Sequence, residues 1–108
     1  MQDYGYTEAD WKLFRKLLPD WQERYMEKLI EEYKALMSTD EPASTKIWNL
    51  EKRIKSDKRD TGVLAQDVSR SNMRFLMMDL INEGAITEAD LEGFSEDYKE
   101  LMISYCRR

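Results

Sequence analysis

Apolar side chains recur every three or four positions along most of this chain, the period of one face of an α-helix. They stand at Trp11, Phe14, Leu17 and Leu18, and again at Trp21, Tyr25, Leu29, Tyr33 and Leu36, with Met26, Ile30 and Met37 beside them. A third set is Ile47, Trp48, Leu50 and Ile54, and a fourth is Val63, Leu64, Val68, Phe75, Leu76, Leu80 and Ile81. Leu91, Phe94, Tyr98, Leu101, Met102 and Tyr105 form the last stripe. Glu23, Glu27, Glu31 and Lys28 fall outside the second stripe, as expected for a helix with one wet face.

The punctuation between stripes sets the expected ends. Thr7-Glu8-Ala9-Asp10 reads as a capping box, with the Thr7 hydroxyl accepting from the Asp10 N–H and Asp10 reaching back. Tyr6 and Trp11 have the spacing of a hydrophobic staple. Pro19 disfavours helix at Leu18, so a first helix is expected to end there and a second to run from about Asp20 to Met37. Pro42 suits the first position of a third helix, where its missing N–H costs nothing. The apolar signal fades over Ser56 to Thr61, and Gly62 is the expected break, against the alternative of a longer helix running through. A fourth helix ends at Gly84, which can take the left-handed turn after a helix. Thr87-Glu88-Ala89-Asp90 repeats the first cap, and a fifth helix is expected after it. Beyond the cap the two stretches share only Phe14 with Phe94, which reads as two solutions of one capping problem rather than a duplication.

The pattern therefore predicts an all-α protein: one domain over residues 1–108, folded as a compact antiparallel bundle of four to five helices. The expected core is Trp11, Phe14, Leu18, Trp21, Tyr25, Leu29, Leu36, Ile47, Leu50, Ile54, Val68, Phe75, Leu76, Leu80, Leu91, Phe94, Tyr98 and Leu101.

Composition narrows the chemistry. There is no histidine, which removes the commonest general base, the Ser-His and Cys-His pairs, and every His-based metal site. The single cysteine, Cys106, cannot form an internal disulfide or a Cys-rich metal site, and fits a reducing compartment. Its neighbours Arg107 and Arg108 could lower its pKa, but without a partner base an inert thiol is expected. Glu27, Glu31 and Glu32 lie a turn apart and could meet a hard cation, although a solvated face paired with Lys28 and Lys34 is the expected role. Asp79 to Asp90 has a glycine at the sixth position of a calcium loop, but Ile81 at the third position and Asp90 at the last leave too few oxygens. No phosphate-cradling glycine loop exists. No enzyme activity and no cofactor are expected. No apolar run approaches the roughly 20 residues of a membrane span. The opening Met1-Gln2-Asp3-Tyr4-Gly5 lacks the layout of a signal peptide, which points to a cytoplasmic protein.

The net charge of −5 is unevenly spread: both ends are acidic, whereas residues 52–74 hold seven Lys or Arg against three Asp. Within that basic stretch, Val68-Ser69-Arg70-Ser71-Asn72-Met73-Arg74, followed by Leu80, Glu83-Gly84 and Ile86, resembles the recognition helix of winged-helix bacterial repressors of the gluconate-repressor type. Leu64-Ala65-Gln66 resembles the helix before it. The resemblance implies a DNA-binding regulator using a helix over 69–83. Ser69 would cap it, Arg70, Ser71, Asn72 and Arg74 would face the major groove, and Lys52, Arg53, Lys55, Lys58 and Arg59 would meet phosphates. Two departures stand beside it: only Asp67 separates the two segments, and a capped helix replaces the β wing after Ile86. Most of the chain also resembles a set of small all-helical bacterial proteins with no established activity. They share the segments Tyr6 to Phe14, Trp48 to Lys55, Ser69 to Met73 and Glu83 to Ile86.

Three functional classes remain. The first is a protein-interaction or adaptor module of bacterial origin, with Met73, Met77, Met78 and Met102 as soft contact residues. Its partner would be another protein, or a second copy in a homodimer. The second is the DNA-binding regulator, with nucleic acid as partner. The third is an acidic inhibitor, carried by a mobile element, of a nucleic-acid enzyme. For the first, the competing reading is that the methionines are simply core.

Overall fold

The computed structural model describes residues 5–107, so the opening tetrapeptide and Arg108 lie outside the described residues. The described residues are helical without strands, and their four helices fall within the four to five expected. Helix α1 spans Glu8–Met37, α2 Ala43–Asp57, α3 Met73–Asn82 and α4 Glu96–Cys106. Short 3₁₀ turns at Arg70–Asn72 and Glu88–Leu91 precede α3 and α4.

The expected break at Pro19 is absent: α1 runs through it for 30 residues, a rod of about 45 Å at 1.5 Å per residue. The reason lies in the stripe. Trp11, Phe14, Leu18, Trp21, Tyr25 and Leu29 stay in register across the proline and are all buried. Their burial outweighs the local cost of an interior proline, about 3 kcal/mol. Pro19 itself is exposed, so its ring meets no neighbour in the core. The rod sets the shape of the molecule, which measures 58 × 24 × 23 Å.

The first capping box forms as expected, with Thr7 and Asp10 exchanging bonds of 2.9 and 3.1 Å. Its repeat has a different outcome. Thr87 to Asp90 starts only the 3₁₀ turn, and a break at Glu92–Ser95, with Gly93 at φ +94°, precedes α4. The expected fourth helix is also shorter. Val63, Leu64 and Val68 are outside any helix, and helical structure begins at Arg70. The chain leaves α2 at Asp57, turns through Gly62, and passes Asp67 in the left-handed region at φ +51°. The side-chain amide of Asn72 donates to the Asp67 carbonyl and carboxylate, which pins that turn.

The core lies between the first two-thirds of α1, α3 and α4. Five rings, Trp11, Phe14, Trp21, Phe94 and Tyr98, stack in succession with centroids 5.9–6.4 Å apart and join α1 to α4. Met73, Met77, Leu80, Leu91 and Met102 are wholly enclosed beside them. Seven residues expected in this core are not fully buried: Ile47, Ile54, Val68 and Phe75 are exposed, and Leu36, Leu50 and Leu101 are half-buried; Trp48 on α2 is exposed too. No helix among the described residues is long and apolar enough to cross a membrane.

Candidate functional site

Helix α2 has an apolar side, but its one buried residue is Asp57. Polar ties hold it to α1. Tyr33 Oη donates to Asp57 Oδ2 at 2.6 Å, and Arg53 Nε donates to the same oxygen at 2.8 Å. The Arg53 guanidinium also bonds Glu32 and lies over the Tyr33 ring, 5.6 Å from its centroid. Burial, reinforced by the bond to Asp57, pushes the Tyr33 hydroxyl up to about 12. About two turns earlier on α1, Tyr25 Oη donates to Asp60 at 2.6 Å. The partners ascend along α1 as they descend from α2's end, so the two helices form a hairpin.

The turn after α2 is fastened to α3. Glu83 accepts from the backbone N–H groups of Thr61 and Gly62 at 2.8 and 2.9 Å, and Gln22 donates to the Thr61 carbonyl. Burial raises the Glu83 carboxyl above the usual range. It outweighs the two N–H bonds and is helped by the nearby charges of Asp60 and Asp79.

These ties leave the apolar edges of both helices uncovered. Ile30 is 49% exposed, Met37 51%, Ile47 64%, Trp48 60% and Ile54 37%. An open groove of about 660 Å³ runs along α2 past Ile47, Leu50, Glu51, Ile54, Lys55 and Lys58. A smaller depression of about 190 Å³, lined by Met26, Ile30, Tyr33, Ile54 and Lys58 among others, bridges to α1. Ile54 and Lys58 belong to both, so the surface is continuous across the hairpin.

The residues suggested for DNA contact are distributed over α2, the turn after it, the 3₁₀ turn at Arg70–Asn72 and α3. Arg70 bonds Glu8 at 2.7 and 3.0 Å and lies over the Trp11 ring. Arg74 lies over the Phe75 ring, Asn72 is engaged by Asp67, and Ser71 is exposed with its hydroxyl near that of Ser69. Ser69 occupies the cap position of the 3₁₀ turn without a side-chain capping bond, and Leu64-Ala65-Gln66 is not helical. Lys52, Lys55, Lys58 and Arg59 are exposed on α2 and the turn after it, whereas Arg53 is spent on Glu32 and Asp57. Of the four methionines suggested for protein contact, Met73, Met77 and Met102 are enclosed in the core and unavailable to a partner; Met78 is half-buried. The half-buried Cys106 thiol is pushed up by burial, with Glu88 adding to the effect and Arg107 opposing it. Glu31 pairs with Lys34 at 2.9 Å.

The periodicity of α2 was visible in the sequence, but not that its apolar side lacks a cover. Buried Asp57 and Thr61 had no sequence signal, because each is polar and sits where the stripe fades. Compared with known proteins, the chain matches no family model, no curated protein and no solved structure at a significant level.

Proposed function

We propose that this chain is a non-enzymatic protein-interaction module whose working surface is the α1–α2 hairpin. The observation that carries the reading is a 15-residue amphipathic helix whose only buried residue is Asp57. Uncovered apolar surface is costly in water, and a contiguous patch of several side chains on a small protein marks a contact site. The rest of the molecule supports the hairpin: buried side chains of α1, α3 and α4 share one core with the base of α1. The duplex-binding reading has less behind it, since Arg70 and Asn72 are already engaged by Glu8 and Asp67.

A photo-crosslinking amino acid placed at Trp48, on the hairpin, should give a discrete product in the native host. The same group at Lys12, exposed on α1 beside the head, should not. No product from Trp48 at native expression overturns the reading.

A further inference from the structure

We propose that the uncovered hairpin face pairs with the same face of a second copy of this chain, closing a four-helix bundle about a two-fold axis. This rests on the interaction reading above and names its partner. Two observations choose a second copy: the size of the face and the order of charges along its edges.

An aromatic side chain buries roughly 150–250 Å² when fully covered, and an aliphatic one somewhat less. Five large side chains, one of them aromatic, that are 37–64% exposed therefore offer on the order of 400–500 Å² of apolar surface. Half-buried Tyr33, Leu36 and Leu50 and the lysine stems at the rim bring this towards the roughly 800 Å² per partner of a stable interface.

The rims are complementary. On α1, helical spacing sets Glu23, Glu27 and Lys34 along the edge of the Met26–Ile30–Met37 strip that faces away from α2. On α2, the same geometry sets Lys58, Lys55 and Glu51 along the outer edge of the Ile47–Leu50–Ile54 strip. Contacts fix the relative heights. Lys58 shares a depression with Met26 and Ile30, which places it level with Glu27. Arg53 reaches Glu32, which places Glu51 near the level of Lys34. Read in one direction, α1 carries acid, acid, base, and α2 carries base, base, acid. An axis parallel to the helices lays α1 on the second copy's α2 and preserves these heights. Glu27 then faces Lys58 of the second copy, and Lys34 faces its Glu51. An axis across the helices would instead set α1 on α1 and invert the heights, so that Glu27 faces the second copy's Lys34 rather than its Lys58. The charge order thus suits self-pairing, and the partner that Glu27 meets distinguishes the two arrangements.

Sedimentation equilibrium of the full chain over about 1–100 µM should show a dimer that weakens with salt. The double variant Ile30→Asp/Ile54→Asp, with both sites exposed, should be monomeric with unchanged helical circular dichroism. Glu27→Lys and Lys58→Glu should each dimerise at least about tenfold more weakly than the wild type. Mixed together, they should form a heterodimer that recovers most of the loss, because every contact across it again joins opposite charges. A wild type monomeric throughout the range overturns the proposal, as does a dimer indifferent to Ile30→Asp/Ile54→Asp or a mixture no tighter than its components. A monomeric wild type that still crosslinks through Trp48 to a different protein would reject the second copy and leave the interaction reading standing.

Discussion

Asp10 and Ser95, 85 residues apart, join the starts of two helices: Asp10 Oδ1 accepts from the Ser95 backbone N–H at 2.7 Å, and Oδ2 accepts from the Ser95 hydroxyl. The same carboxylate caps α1 through Thr7 and is only 2% exposed. Ser95 is the residue from which α4 springs. One buried charge thus closes the capping box and anchors the last helix against the first. Asp10→Ala should destabilise the fold by about 2–4 kcal/mol, because it leaves the Ser95 and Thr7 donors without their partner. Urea denaturation checks this, and Ser95→Ala, which keeps the backbone bond, should cost less, about 1–2 kcal/mol.

Asp90 does in the second cap what Asp10 does in the first. Its two oxygens take the Arg24 fork at 2.8 and 2.9 Å while it accepts from the Thr87 N–H. For both aspartates burial pushes the pKa up, but the bonds they accept outweigh it and hold them below the usual carboxylate range. Glu83 is shifted the other way. The signs follow from linkage. The aspartates contribute stability above their unfolded pKa that is lost as pH falls through the folded value. Glu83 contributes stability below its unfolded pKa that is lost as pH rises through its own folded value. Carboxyl-carbon NMR titration should find Glu83 releasing its proton at higher pH than the exposed glutamates, and Asp10 and Asp90 at lower pH than the exposed aspartates. The reverse order would refute the burial argument.

Gly62 is required by close approach. A Cβ there would lie 2.4–2.9 Å from three atoms of the Tyr25 ring, and φ at this residue is not in the left-handed region. The ring is fixed by its bond to Asp60, and the Gly62 N–H by Glu83, so neither side can yield cheaply. Gly62→Ala should cost about 1–3 kcal/mol by overpacking, read from the denaturation midpoint. If the variant is as stable as the wild type, the turn is looser than described.

Pro19 sits exposed inside the continuous α1. It supplies no N–H to the helix ladder, so Pro19→Ala should stabilise the protein, by about 1–3 kcal/mol, without altering its association. A loss of stability would mean that the proline shapes the rod in a way the core depends on. Thermal unfolding followed by circular dichroism decides between the two.

By itself the sequence determined that this chain is helical and where most apolar stripes fall, because helix periodicity and caps act over three or four residues. Trp11 to Leu29, Leu76 to Leu80 and Leu91 to Tyr98 were legible as core on that ground alone. Thr7 with Asp10 and the stop at Gly84 were legible for the same local reason. The tertiary structure decided what covers each stripe. Ile47, Ile54 and Phe75 have the same periodicity as Phe14 and Leu80, yet among the described residues they stay 37–64% exposed. It also decided that burial along one unbroken stripe outweighs Pro19, and that the two Thr-Glu-Ala-Asp caps start an α-helix in one place and a 3₁₀ turn in the other. Those outcomes depend on partners tens of residues away, which no local spacing encodes.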